Sequence, residues 1–550
     1  MTMIHNPIIP GFNPDPCICR KNDDYYLAVS TFEWFPGIPV YHSKDLAHWE
    51  LYTHILTDDE QIDLKKLPSA KGIWAPCLTY CEAEDLFYVV YGVMNSMNAR
   101  YFDVDNFVIT AKDIKGPWSE PVYLHSAGFD ASMFHDDDGR KYVVSLDWET
   151  RENYEKPGAI CLVEYDPVKK EIIGYPERVW WGGTDRGCIE APHLTKHGKY
   201  YYLMCAEGGT GYNHCVTMGR STKVDGPYVK DPANPILTSA PGYSYERHDP
   251  DHLKPKYYNP QSVLQKSGHG SYVDLPNGET YMVHLCARPF VPELRCTLGR
   301  ETAIQKMQWT EDGWLRLAEG GNLAKLEVEA PDLPEVLMPE IPSFDDFDRE
   351  ELGNFYYAPR IMPGRFADLK ARPGFVRLYG QESRTSLNKV SILARKLTSV
   401  YAQITTKMDF HPEVHQHSAG LILYYDNMNY LNLRKYRSET LKQDALLVIR
   451  MENGERTEYL DDRTPVDDGF VWMRLIIEGR DCHFEWSSDG EKYVRIGPEF
   501  EVSKFSDEYC RYGEFTGTMV GITCADRIRH KHYADFDFLE YIADETKPVD

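Results

Sequence analysis

The feature that most constrains this chain is a short pattern that returns five times in the first three hundred residues. The copies are Asp23-Asp-Tyr-Tyr26-Leu-Ala-Val, Asp85-Leu-Phe-Tyr88-Val-Val, Gly139-Arg-Lys-Tyr142-Val-Val, Gly198-Lys-Tyr-Tyr201-Tyr-Leu and Gly278-Glu-Thr-Tyr281-Met-Val. Each sets a turn-forming Asp or Gly ahead of an aromatic and β-branched run, the composition of a strand that leaves a tight turn. Partial echoes follow at Ser43–Trp49, Ala111–Trp118 and Ser221–Tyr228 and read as turns after an outer strand. The unit is therefore a small antiparallel sheet. Repeats of about 50 to 80 residues made of short strands predict a propeller with one blade per copy, hence five blades. A β-sandwich whose strands share composition by chance is the competing reading, and the matched turn, Tyr and Val positions weigh against it.

Four prolines (Pro331, Pro334, Pro339, Pro342) then interrupt any continuous helix or central strand and mark a linker over 331–343. Beyond it, alternating runs such as Leu421–Tyr425, Ala445–Ile449 and Trp472–Ile477 are separated by turn signals including Asn453-Gly454 and Asp489-Gly490. The expectation is an all-β chain: a five-bladed β-propeller over 1–330, the linker, and a β-sandwich over 344–550.

Composition narrows the partners. With 85 acidic against 60 basic residues the formal charge is −25, which repels phosphate backbones and anionic headgroups, so neither nucleic acid nor a membrane surface is an expected partner. No run approaches the ~20 apolar residues of a spanning helix, and residues 1–10 lack the basic and apolar regions of a signal peptide. The 13 cysteines are odd in number and carry no zinc-finger spacing. They read as reduced core thiols and, with the N-terminus, point to a cytoplasmic location.

In a propeller the first strand of each blade lines the axis, so residues at one repeat phase converge. Counting back from the aligned tyrosines, Asp15 lies 11 residues before Tyr26, Trp74 14 before Tyr88, Asp130 12 before Tyr142, Glu190 11 before Tyr201 and His269 12 before Tyr281. These five are expected to ring one channel mouth. Three are acidic and come from three blades. Each alone could be a turn acid or helix cap; three at one phase read as a site. Two carboxylates across a pocket are the equipment of glycosidic-bond hydrolysis, one protonating the leaving oxygen and one activating water. A third can raise the pKa of the acid by repulsion. Glu190 is the candidate acid.

These residues resemble glycoside hydrolase family 43, and over essentially the whole length its two-domain β-xylosidases. Asn13-Pro-Asp15-Pro is similar to the family's base motif, Gly128-Phe-Asp130 to its third-carboxylate motif, and Ile189-Glu190-Ala-Pro-His193 to its acid motif. The resemblance implies inversion and exo removal of xylose from the non-reducing end of short β-1,4-xylo-oligosaccharides. Asp15 would be the general base, Glu190 the general acid, and Asp130 the residue that tunes and orients Glu190. Inversion implies roughly 6.5–9.5 Å between the working carboxyls.

Phe32, Trp74, Phe129 and Trp148 are candidate pocket walls for a pentose, although core packing is the commoner role of such residues. Arg300, in Leu298-Gly-Arg-Glu-Thr-Ala303, is similar to the family's sugar-binding arginine, with Arg288 a second candidate. Phe515, in Gly513-Glu-Phe-Thr-Gly517, corresponds to the loop of a concanavalin-like or jelly-roll sandwich that closes the pocket. No cofactor is required. His269 corresponds to an axial histidine that in some relatives touches a divalent cation, making it the candidate ligand for Ca²⁺ or Mg²⁺. A homo-oligomer, tetramer or dimer, is implied as well. The polar stretch between Tyr243 and Pro260 departs from the family's pattern, and the segment from His269 to Arg300 is short for it. Three alternatives remain: a dedicated α-L-arabinofuranosidase, against α-L-arabinofuranosidase as a side activity of the xylosidase; a non-catalytic sugar-binding propeller; and a protein-binding scaffold.

Overall fold

The computed structural model describes residues 2–97, 102–153, 158–241, 258–511 and 514–549. Most of the divergent Tyr243–Pro260 stretch, and Gly513 of the closing-loop motif, lie outside the described residues.

Five antiparallel sheets follow one another along the chain: Cys17–Leu56, Gly72–His125, Ser132–Trp180, Glu190–Thr238 and Gln265–Leu317. Each is a blade of a five-bladed propeller. The Tyr-bearing copies of the repeat form the second strand of every blade: Asp24–Ala28, Leu86–Ser96, Lys141–Asp147, Tyr200–Glu207 and Thr280–Ala287. The echoes follow the third strands, which end at Ser43, Ala111 and Ser221, and so lead into the outermost strand. Met3–His5 pairs with Glu327–Glu329, tying the start of the chain to the end of the propeller.

Residues beyond 343 build two stacked sheets. One is centred on Tyr401–Asp409 between Tyr533–Ala543 and Phe470–Glu478. The other is centred on His417–Asp426 between Met519–Asp526 and Asn429–Ser438. Leu421, Leu423, Ile404, Leu475 and Ile522 pack between them, as expected of a concanavalin-like sandwich whose inner faces are apolar. The sandwich is fused to the propeller face that carries the site. Ala358–Pro359 pairs with Trp34–Phe35 of the propeller, and one apolar cluster runs from Phe32, Trp74 and Phe129 into Ile422, Tyr424 and Phe515.

Candidate active site

The inner strands do not simply run to the propeller mouth; they kink there. Asp15, Ala75, Asp130, Ala191 and His269 all hold left-handed backbone, with φ of 58°, 39°, 54°, 50° and 51°. Such conformations cost a non-glycine residue energy and mark places where structure is arranged to aim a side chain. In blades 2, 4 and 5 the kink coincides with a register shift against the second strand. A bulge of this kind turns a side chain out of the sheet's alternation. A kink in every blade, at the counted residue or the one after it, explains why counting along the sequence finds the site.

All five phase residues, together with Phe32, Phe129, Trp148, Arg300 and Phe515, line one cavity of about 120 Å³. That is near the ~150 Å³ of an engineered apolar cavity that takes one benzene ring, so the cavity suits a single sugar ring. Its walls are aromatic: Trp74 meets Phe129 and Phe515 edge-on at 5.9 and 5.8 Å, and Phe129 lies 6.0 Å from Trp148. Met97, Phe102, Cys188, Gly209 and Thr210 complete the lining; none falls at the repeat phase, and no sequence signal singled them out.

The carboxylates are individually positioned. Ser30 donates its hydroxyl to Asp15 Oδ2 at 2.6 Å and itself accepts the Ala75 N–H at 2.7 Å, linking blade 1 to the kink of blade 2. The preceding Asn13 receives Tyr41 Oη–H and Lys396 Nζ–H on its side-chain oxygen, and its N–H donates to Arg300 O. Asp130 Oδ2 accepts the Ala191 N–H at 3.0 Å, which fixes it against the residue following Glu190. Burial raises Asp130, helped by the charge of Asp15, to about 8. Burial likewise pushes Glu190 well above the usual carboxylate range, with the charges of Asp130 and Asp15 adding to it and Arg300 partly offsetting it. A carboxyl kept protonated near neutrality is what a general acid requires.

His214 lies beside Glu190 as a neutral imidazole. Its Nδ1 lies 3.0 Å from the Lys266 carbonyl, which can only accept, so Nδ1 carries the proton. Nε2 then presents a lone pair 3.8 Å from Glu190 Oε1. Burial drops this imidazole to about 3 and keeps it neutral. Gly268 makes room for it, because a Cβ there would lie 2.3 Å from the His214 ring.

Arg300 is buried, not a surface ion pair. Its guanidinium donates to Thr210 O and Oγ1 and pairs with Asp507 of the sandwich at 2.8 Å, leaving Nη1 unpartnered beside the cavity. Asp507 and Glu508 also bracket the buried Lys266 at 3.3 and 2.6 Å. Burial works to raise the Asp507 carboxyl, but Arg300 and Lys266 outweigh it and hold it below its ordinary range. These two acids lie far from any repeat and were missed for that reason. Arg288, the second candidate, is instead locked to Glu301 at 2.7 and 2.8 Å and is absent from the cavity lining.

His269 Nδ1 lies 3.5 Å from Asp15 Oδ1. Among the described residues, no group of three closely spaced metal-ligand side chains includes it. One imidazole and one carboxylate are fewer protein donors than a Ca²⁺ cage supplies.

The sequence pattern of glycosyl hydrolases family 43 matches residues 4–315, and that of the beta xylosidase C-terminal concanavalin A-like domain matches residues 344–542. The chain belongs to glycosyl hydrolases family 43. Within the family it is 39% identical to a beta-xylosidase of Bacillus subtilis, over 98% of this chain and 99% of that one. It is 37% identical to xylosidase/arabinosidase 43B of Humicola insolens, over 98% of both. The crystal structure of a xylan beta-1,4-xylosidase from Bacillus halodurans superposes with a TM-score of 0.91 at 42% identity, covering 98% of this chain and 99% of that one. As a family 43 glycoside hydrolase the protein needs no cofactor for catalysis.

Proposed function

We propose that this glycoside hydrolase is an inverting, exo-acting β-1,4-xylosidase that frees terminal xylose from the non-reducing end of short xylo-oligosaccharides, with α-L-arabinofuranosidase side activity. The observation that carries the reading is the convergence of three carboxylates from three blades on a ring-sized aromatic cavity capped by Phe515. Asp15 takes a proton from water as its oxygen attacks the anomeric carbon. Glu190 gives its proton to the departing glycosidic oxygen, and attack from the opposite face leaves the product in the α configuration. Asp130 holds Glu190 in place through the Ala191 N–H and adds to the repulsion that keeps it protonated. Arg300 Nη1 is available to a sugar hydroxyl, and the aromatic walls suit a pentose ring that has no hydroxymethyl group. A capped mouth accepts a chain end and cannot thread a polymer.

The substrate follows from the relatives' names, and the side activity from the xylosidase/arabinosidase among them. Thirteen cysteines with no disulfide support a reducing, cytoplasmic setting. The resemblance supports a homo-oligomer, which analytical ultracentrifugation would test. No helix of the described residues is long and apolar enough to cross a membrane.

The test is xylobiose hydrolysis followed by NMR of the anomeric proton, beside arabinofuranoside hydrolysis. α-Xylose as the first product is expected. β-Xylose first would overturn the mechanism, and arabinose release without xylose release would replace the substrate.

A further inference from the structure

The kinks that aim the carboxylates also set the phase of what lies beneath them. Cys17 opens the inner strand of blade 1 two residues beyond the left-handed Asp15, and its thiol points to the inner strand of blade 2, 3.9 Å from Cys77 Sγ. In blades 2 and 4 the bulge shifts alternation by one, and the axis-facing residues become Cys77, three beyond Trp74, and His193, three beyond Glu190. A second ring therefore lies under the catalytic floor, and part of it is two thiols and an imidazole. Cys77 Sγ lies 3.9 Å from Cys17 Sγ and 3.9 Å from His193 Nδ1, and all three donor atoms fall within 4.8 Å of one another.

We propose that Cys17, Cys77 and His193 form a binding site for one thiophilic cation of the Zn²⁺ class, which would tie blades 1, 2 and 4 together beneath the active site. The spacing is that of a tetrahedral site before the ion enters. Zn–S bonds of about 2.3 Å and Zn–N bonds of about 2.0–2.1 Å require S···S near 3.8 Å and S···N near 3.6 Å. Contraction by a few tenths of an ångström brings the Cys17–Cys77 and Cys77–His193 pairs to these values, and closing Cys17 Sγ and His193 Nδ1 from within 4.8 Å completes three corners. The fourth is left to water or to Ser271 Oγ, which lies 3.9 Å from Cys17 Sγ. Both thiols are buried. Burial and the charge of His269 hold His193 near 3, so the imidazole is neutral and offers a lone pair as a ligand must. Binding is balanced by loss of two protons: each thiol becomes a thiolate as it takes its place on the metal, and both protons pass to solvent. Two thiolates cancel the divalent charge, which suits an ion held in a buried axis. The donor set also separates this site from the oxygen-rich coordination that Ca²⁺ and Mg²⁺ demand.

The experiment is titration of reduced, chelator-treated full-length protein with Co²⁺, followed by displacement with Zn²⁺. One equivalent should develop thiolate-to-cobalt charge-transfer absorption, and Zn²⁺ should abolish it. Cys17→Ser and Cys77→Ser should each weaken binding by more than the roughly 10- to 100-fold that loss of an outer-shell partner costs. Cys482→Ser, whose thiol is buried in the sandwich, should leave it unchanged. Should the propeller variants fail to fold, alkylation of wild-type protein followed by peptide mapping decides the matter. Zn²⁺ should slow modification of Cys17 and Cys77 and leave that of Cys482 unaltered. Absence of the absorption band, a band undiminished in both propeller variants, or equal alkylation with and without Zn²⁺ would overturn the proposal.

Discussion

The two halves of the molecule use β-structure in opposite ways. At the propeller mouth every inner strand is broken by a left-handed residue, each costing of order 1–3 kcal/mol, and carboxylates are buried beside one another. The four long sandwich strands Tyr401–Asp409, His417–Asp426, Met519–Asp526 and Tyr533–Ala543 contain no positive-φ residue, and their inner faces are largely apolar. Strain sits where side chains must be aimed; regularity sits where support is needed. The halves meet through charge: Asp507 and Glu508 of the regular half neutralise Lys266 and Arg300 of the strained one.

This contrast sets the order of expected effects. Asp15→Ala or Glu190→Ala should lower kcat on xylobiose by about 10²- to 10⁴-fold, with thermal unfolding no earlier than in the wild type, because the one removes a charge that repels its neighbours and the other a desolvated carboxyl. A large loss of stability instead would show that the mouth acids hold the blades together.

Asp507→Ala reaches the site from the sandwich. It leaves Arg300 without its carboxylate partner, and breaking a buried pair costs about 3–5 kcal/mol. Denaturant unfolding should show that loss, and KM should rise because Arg300 Nη1 is no longer held at the cavity. Unchanged stability would mean that the sandwich does not brace the mouth. Phe515→Ala removes the cap alone. At about 1.5–3 kcal/mol for a buried apolar side chain, kcat/KM should fall roughly 10- to 150-fold, and an unchanged value would remove Phe515 from the pocket's work.

Asp130→Asn should move pH dependence more than rate. Asp130 carries charge only as pH passes about 8; the asparagine removes the repulsion that this charge then exerts on Glu190, so Glu190 gives up its proton more readily and the alkaline limb of kcat/KM shifts to lower pH. The folded protein holds the Asp130 proton up to about 8, whereas the unfolded chain releases it near 3.8. Wild-type stability therefore declines as pH rises across that window. The asparagine variant lacks the decline and should gain on the wild type between pH 4 and 8; parallel stability curves would contradict the buried-carboxyl account. The smallest effect is expected from EDTA, which should leave xylobiose hydrolysis unchanged, since Asp15 and Glu190 between them supply the base and the acid that the reaction needs.

The same contrast explains what could be read from sequence. Asp15, Trp74, Asp130, Glu190 and His269 were legible because a repeat converts spacing along the chain into convergence in space. Phe32, Phe129 and Trp148 were legible as aromatics beside the phase residues or within their blades, and Arg300 and Phe515 through family motifs. Asp507, Glu508 and Lys266 were not, because an ion network between halves leaves no periodic trace. His214 was missed too, since its place beside Glu190 is fixed by one ring nitrogen meeting the Lys266 carbonyl, a contact that leaves no periodic trace. Nor does spacing reveal that bulges bring Cys77 and His193 onto the axis beside Cys17, because a bulge alters the alternation on which such counting depends.

The division of labour among the acids is tested most directly by leaving-group dependence in Glu190→Ala. Xylobiose departs as a sugar alkoxide and needs a proton, whereas an aryl β-xyloside with an acidic phenol needs little help. The account predicts a fall of about 10²- to 10⁴-fold on xylobiose and a far smaller one on the activated aryl glycoside. Equal losses on the two substrates would contradict the assignment of Glu190 as the acid.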